Sequence, residues 1–565
     1  MFKQKQKQLI EISQSTSGTT TMESPFVAAA NKKSARTLSG NGALKYSTTG
    51  NDFVDQFGKL GSYKTPRTYE EIANDMATLW AINPLLTVCF TLFIRMITRV
   101  VVSFDGIKTA SPQRGAGLKN EGIMRMMWIN INHRDTFWKN FGLFVMVGSW
   151  KDVFVMLSLD LQYNGWKSRM LDWDKFGQAI LVGLENPNTT NLVKKYLPQL
   201  KSNAQCKTLE SQANNIIAKW LCSLLFGGKN GDTQFQNYKK YRQLKTSGTA
   251  HTWQQHISRK DLIKLDFNTV HGRALAQMVS GKFLANNGLE KRYEEWIANK
   301  PIAKFTGYVT ELFIKTPEKK YQIDTLNAQF NGLIETAKKS AITATNFISV
   351  VDTSGSMSTP NSGIKMENVD VAKSLALFFS QMLNKGPFAN AWFEFNSFAV
   401  LHTIKGSTPW EKWCDMKRYS HTGSTNFISV VEYLIDIRKK NPKLAESDFP
   451  QGFLVMSDME FNPTQFGTNT ETVFKRLRTV FSKEFVNNFK LVFWNLQSNA
   501  YGRGTGEKFE THGNEKNVFY FSGYDGSIVA FLTGVEGKAE KPTPTTAEEL
   551  FKAAMDQEVL KLVEI

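Results

Sequence analysis

The chain has 565 residues, more than a single hydrophobic core usually accommodates, so at least two domains are expected. An apolar content of 41% with 12% aromatics excludes a mostly disordered chain, and the four scattered cysteines, Cys89, Cys206, Cys222 and Cys414, exclude a disulfide framework or a C-x-x-C zinc site and read as reduced, buried thiols. The net charge of +18 is confined to one part of the chain: residues 1–344 carry 46 Lys+Arg against 26 Asp+Glu, and the remainder carries 23 against 25.

A one-sided excess of this size points to an anionic partner for the first part, most simply nucleic acid, with a solvated basic surface as the alternative. The amino-terminal MFKQKQKQLIEISQ lacks an apolar core and a small-residue cleavage site, so an intracellular, cytoplasmic protein is expected. Residues 13–52 are rich in Ser, Thr, Gly, Asn and Lys without apolar periodicity, which predicts a flexible arm over 1–52.

From Tyr69 to Lys339 apolar residues recur at three- and four-residue spacing, in EEIANDMATLWAIN, LLTVCFTLFIRMI, DTFWKNFGLFVMVG, WKDVFVMLSL and LESQANNIIAKWLCSLLF. The pattern predicts an α-helical repeat domain, a HEAT-like ring or solenoid, over 53–344. The most apolar run, Leu85 to Phe104, is interrupted by Arg95 and Arg99, so it reads as a buried helix and no membrane partner is expected.

Between Gly227 and Phe283 ten basic residues face three acids, with Tyr238, Tyr241, His251 and Trp253 interleaved. Basic side chains neutralise phosphates and aromatic faces stack on unpaired bases, so Lys239, Lys240, Arg242, Lys245, Trp253, Arg259, Lys260 and Arg273 are candidate contacts to single-stranded or irregular RNA. Core packing is the competing reading for Trp253, and a solvated face for Lys239, Lys240 and Arg242. His251 and His256, five residues apart, do not share a helical face, and His133 with Asp135 reads as a helix start.

After Asn346 strands and helices alternate: FISVV, NVDVAKSLALFFSQML, AWFEFN, AVLHTI, FISVVEYLIDIRKK, GFLVM, TVFKRLRTVF, KLVFWNL and VFYFS. Continuous apolar strands separated by amphipathic helices predict a doubly wound, Rossmann-like α/β domain over 345–535. A Pro/Thr linker and a closing helix, capped by Thr546 with Glu549, follow over 536–565.

The stretch VVDTSGSM sits where a strand gives way to a helix, the usual ligand position of such a sheet. Asp352, Ser354 and Ser356 there offer hard oxygen donors suited to Mg²⁺ or Mn²⁺ but too few to fill an octahedron. Thr425 in HTGSTNF and Asp458 in FLVMSDMEF occupy equivalent loops and complete a five-residue set of candidate metal ligands; an ordinary Asx or Ser turn is the competing reading of DTSGS.

This D-x-S-x-S run with a later Thr and Asp resembles the metal-ion-dependent adhesion site (MIDAS) of a von Willebrand factor A domain. The resemblance implies a metal with an open position that an acidic side chain of a protein partner fills, and no catalysis. Here Asp458 is followed by Met459 and Glu460, where the family commonly has Asp-Gly. Helical repeats preceding such a domain, with VDQFGKLGSYK (Val54 to Lys64), VGSWKDVF and SRKDLIKLDF, resemble the TROVE module of Ro-type ribonucleoproteins and a related uncharacterised family of the same layout. That resemblance implies a ribonucleoprotein scaffold that takes single-stranded RNA in a basic hole and structured RNA outside it. The alternative is a non-enzymatic structural or assembly protein, of a virion or a large complex, using the A domain for protein contacts. No P-loop, H-E-x-x-H or G-x-S-x-G is present, and GGKNG at 227–231 lacks the Lys-Ser/Thr ending of a phosphate loop, so no enzyme is expected.

Overall fold

The computed structural model describes residues 36–38, 41–60, 67–96, 103–104, 107–109, 113–163, 169–227, 233–248, 252–305, 307–339, 346–358, 360–361, 366–382, 386–419, 423–465, 467–496, 510–511, 515–522, 535–536, 539–540 and 544–565. A short antiparallel pair comes first, β1 (Arg36–Leu38) with β2 (Leu44–Tyr46), and a second, β3 (Ser103–Phe104) with β4 (Ile107–Lys108), follows the helix Pro84–Arg95. The helical part then follows its local punctuation. Thr68 and Glu71 form a reciprocal capping box at the start of Tyr69–Ile82. Asn83 ends that helix and caps Pro84–Arg95, which begins with a proline whose missing N–H costs nothing there. Thr208 and Thr233 cap Leu209–Phe226 and Gln234–Ser247 in the same way.

The predicted run DTFWKNFGLFVMVG breaks at Asn140 into Arg134–Lys139 and Phe141–Val147. The Asn140 amide donates to the Thr136 carbonyl at 2.8 Å and to Glu564 near the chain end at 2.5 Å, so a tertiary contact holds the break. The run from Leu85 is helical only to Arg95, and Arg99 lies outside the described residues. Arg95 is buried because its Nε and Nη2 donate to Asp152 at 2.9 and 2.6 Å. Among the described residues no single helix is long and apolar enough to cross a membrane.

The last third is the expected α/β unit. After β5 (Phe347–Asp352) come the small strands β6 (Pro360–Asn361) and β7 (Met366–Glu367), then β8 (Ala391–Phe395), β9 (Ala399–Thr403), β10 (Gly452–Ser457), β11 (Lys490–Asn495) and β12 (Val518–Ser522). Six strands form one sheet in the order β12-β11-β10-β5-β8-β9, all parallel except the edge strand β9. This is the doubly wound arrangement of a von Willebrand factor A domain. Alternate strand residues serve two cores. Ile348, Val350, Phe393, Phe453, Val455 and Phe493 face one, and Val351, Leu454, Met456, Val492, Trp494 and Phe521 face the other.

The second of these cores is continuous with that of the helical part. At one end of the helical array, Asp52–Lys59 lies on the β12 edge: the Ser522 hydroxyl donates to the carbonyls of Gly58 and Leu60, and Phe57 meets Phe521. At the other end, Lys320–Lys339 meets Pro409–Lys417, where Trp410 N–H donates to Asn327 at 2.9 Å and Phe313 stacks on Trp413 at 4.5 Å. Both ends of the array thus rest on the same sheet domain.

The amino-terminal end differs from the sequence expectation, and the closing helix is where it was expected. Residues 41–52, assigned to a flexible arm, are in part inserted into the α/β domain: Ala43 and Tyr46 belong to its core and Leu44 bridges Thr468. Residues 1–35 of the proposed arm lie outside the described residues. The closing helix Ala547–Met555 packs Phe551 against Phe53, Phe57 and Phe90 and Gln557 bonds the backbone of Arg114, while the Asn517 N–H of the sheet domain donates to the Thr545 carbonyl at 2.5 Å, so the tail joins both domains. Apolar side chains at its buried positions outweigh the polar linker that precedes it.

Candidate cation site and basic surfaces

Asp352 ends β5 and Asp458 follows β10, the neighbouring strand on the side where the strand order reverses. The twist of the sheet opens a crevice at this switch point. Asp352 is fully buried; its Oδ1 accepts the Ser354 N–H at 2.9 Å and its Oδ2 accepts the Ser457 hydroxyl. Ser354 and Ser356 hydroxyls lie 3.2 Å apart, and Ser356 in turn hydrogen-bonds the Asp458 side chain. Thr425 is brought to the same end by backbone bonds: its carbonyl accepts the Asn462 N–H at 2.9 Å, and Gly355 N–H reaches the Gly423 carbonyl at 3.4 Å. Four of the five predicted ligands are therefore linked directly, and the fifth joins through its loop.

Burial pushes the Asp352 carboxyl up to about 7, the Asp458 charge pushes it the same way, and the Ser457 and Ser354 bonds oppose both. Asp458 is also raised, again chiefly by burial. Two carboxylates placed so close in a dry crevice cannot both ionise without a neighbouring cation. Among the described residues no three His, Cys, Asp or Glu side chains converge, so any cation held here takes hydroxyl donors as well. That mixture fits a hard divalent ion such as Mg²⁺ or Mn²⁺.

The Asp-Met departure has a backbone consequence. Met459 has φ +64°, the left-handed region that glycine occupies without cost, yet its side chain is 3% exposed in the core beside Phe461. Glu460 is half-buried, and its charge raises the carboxyls of Asp458 and Glu510 and the phenol of Tyr520. It faces the acidic crevice.

Two residues of this crevice were not among the candidates. Lys45, on β2, is 1% exposed, lies 3.5 Å from the fully buried Glu510 and sits over the Phe461 ring. Its charge lowers both Glu510 and Asp458, although burial still leaves each raised. No spacing in the sequence links Lys45 to Glu510, because the contact depends on the amino-terminal hairpin folding back. Ser457 carried a weak signal, being the polar end of an apolar strand.

The basic candidates divide. Lys239, Lys240, Arg242, Arg259 and Lys260 are exposed. Lys245 is turned inward, donating to the carbonyls of Lys195 and Leu197 at the end of the helix Thr190–Tyr196. Trp253 is half-buried against the Leu265–Tyr293 core and Tyr241 is fully buried, donating to the Pro198 carbonyl at 3.0 Å. Core packing claims both rings, and His251 lies outside the described residues. Phe235, 74% exposed, was missed. Its i, i+4, i+7 spacing with Lys239 and Arg242 puts all three on one helix face, a signal readable in the sequence. His133 joins two helices and stacks on Trp80 at 3.8 Å.

Arg273 chelates Glu311 through two bonds of 2.5 Å at the wall of a cavity of about 1500 Å³. The cavity lies between residues 67–124 and 273–329 of the helical part, and its lining includes Arg67, Lys119, Lys282, Lys315 and Lys319 beside Glu121, Glu311 and Glu318.

Residues 346–561 match the family described as Domain of unknown function (DUF7788). No curated protein sequence matches the chain. Among solved structures the chain is similar to the crystal structure of Deinococcus radiodurans RO (RSR) protein, at 12% identity over 86% of this chain and 99% of that chain, with a TM-score of 0.34.

Proposed function

We propose that this protein is a non-enzymatic RNA-binding scaffold whose helical domain holds single-stranded or irregular RNA and whose A domain contacts a protein. The observation that carries the first half is the basic cavity in the only basic part of the chain, with six Lys and Arg against three Glu in its lining. The exposed Phe235–Lys239–Arg242 face supplies a second contact, a ring for a base beside two charges for phosphates. Fluorescence anisotropy with a labelled single-stranded RNA tests it. Affinity should fall steeply between about 50 and 200 mM salt, and charge reversal at Lys282 with Lys315, or at Lys239 with Arg242, should flatten that dependence. Absence of binding at the lower salt overturns the reading.

A second reading rests on the crevice: the raised Asp352–Asp458 pair favours a divalent ion with a position left for a partner carboxylate, as in an assembly protein. When bound, Mg²⁺ or Mn²⁺ supplies a positive centre for that acidic group. Asp352, Ser354, Ser356, Thr425 and Asp458 would hold it. A protein partner captured with Mg²⁺, and released by chelation or Asp352→Ala without change in RNA binding, supports this reading; capture indifferent to both sinks it.

A further inference from the structure

Two of the loops that carry candidate ligands share a support to which no candidate ligand belongs. Thr353 stands between Asp352 and Ser354, and its side chain is buried against β8, 4% exposed. Its hydroxyl donates to the Glu394 carboxylate at 3.1 Å and accepts from the Asn396 Nδ2 at 3.1 Å. Glu394, 1% exposed, takes the His402 Nε2–H of β9 at 2.7 Å on its other oxygen. The Asn396 Oδ1 accepts the Ser397 N–H at 2.6 Å, which fixes the orientation of the amide and so the direction of the whole run, from Asn396 through Thr353 to Glu394.

The turn from β8 to β9 holds the second loop as well. The Asn396 carbonyl accepts the Asn426 N–H at 2.7 Å, one residue past Thr425, and the Ser397 Oγ accepts the Ser424 N–H at 3.1 Å, one residue before it. The Ser397 carbonyl accepts the Asn426 Nδ2 at 3.2 Å. Gly423 allows this approach, because a Cβ there would meet the Ser397 Oγ at 2.6 Å. Asn396 is thus bonded through its side chain to the D-x-S-x-S loop and through its backbone to the Thr425 loop. Its side chain is buried, so the low local dielectric strengthens the tie.

A cation held by oxygens from separate loops needs those loops to keep one spacing, and residues outside the ligand set that orient the ligands are worth about 10–100-fold in metal affinity. We propose that Thr353 and Asn396 are positioning residues of the cation crevice, with Glu394 and His402 as their fixed base. The inference rests on the cation reading of the crevice and extends it to four residues that supply no ligand atom.

Mn²⁺ serves as the probe, its uptake by the full chain read from the loss of the free-ion paramagnetic resonance signal, with the thermal midpoint in EDTA recording stability separately. Thr353→Val keeps the shape of the side chain and deletes the hydroxyl, and it should weaken Mn²⁺ binding by about tenfold or more. Thr353→Ser, which restores the hydroxyl, should bind as the parent does. If Thr353→Val fails to fold, Asn396→Ser, too short to reach Thr353, carries the same expectation. Parent-like binding in the variant that folds overturns the positioning role and leaves the cation reading standing. Weakening in Thr353→Ser equal to that in Thr353→Val assigns the effect to packing and also overturns it. A parent chain that takes up no Mn²⁺, or no more than Asp352→Asn does, overturns both.

Discussion

At Met459 two opposing costs decide the outcome of one substitution. A left-handed backbone in a side-chain-bearing residue costs about 1–2 kcal/mol, which glycine would relieve. Removing a buried methionine costs about 2–5 kcal/mol in lost packing. Burial should win, so Met459→Gly is expected to destabilise by about 1–3 kcal/mol in urea titration. The Asp352 carboxyl gives a pH signature in the cation-free protein. Its folded value of about 7 lies above the ordinary carboxyl range, so the native state binds the proton more tightly than the unfolded chain. The stability this contributes is complete below about pH 4 and is lost as pH rises through about 7. Thermal midpoints in EDTA should carry this decline, Mg²⁺ should reverse it, and Asp352→Asn should flatten it; a profile unchanged by that variant would contradict the assignment. The donors were legible in the sequence because D-x-S-x-S is local. The burial that perturbs them was not, since it comes from Ser457, Lys45 and the walls of the crevice.

At the scale of elements, the period of the apolar residues identified the long helices and the six strands of the sheet. It missed the short helix Pro409–Lys417, whose WEKWCDMK carries too few turns for a clear period. That helix matters out of proportion to its length. Trp413 is 4% exposed and stacked on Phe313, at the seam between the helical array and the sheet domain. Trp413→Ala is expected to cost about 3–5 kcal/mol, measured by chemical denaturation. Phe235 and Trp253 make the complementary point. Both are aromatic residues in a basic stretch, and only the packing of neighbouring helices separates the exposed ring from the half-buried one.

At the scale of the whole molecule, the tail closes the architecture. Residues 544–565 cover Phe53, Phe57 and Phe90, and Leu560 places its carbonyl on the Cys89 thiol at 3.4 Å. Burial pushes that thiol up to about 11, which keeps it unreactive near neutrality. Deleting 544–565 should therefore make Cys89 reactive to a thiol reagent and broaden the calorimetric transition, because helical array and sheet domain lose a shared element. Unchanged labelling after the deletion would show that the tail does not cover the core.

By itself the sequence determined the class of each half, the order in which they occur, the confinement of positive charge to the first and the polar donors at the ends of β5 and β10. These are local properties, set by residue type and by spacing within a few turns or one strand. Only the tertiary structure decided that Lys45 neutralises an acid 465 positions away, that Lys245 caps a helix instead of facing solvent, and that both ends of the helical array rest on one sheet. Those outcomes depend on which buried surfaces find each other, and the free energy of burial, large and non-directional, leaves no periodic trace in the chain.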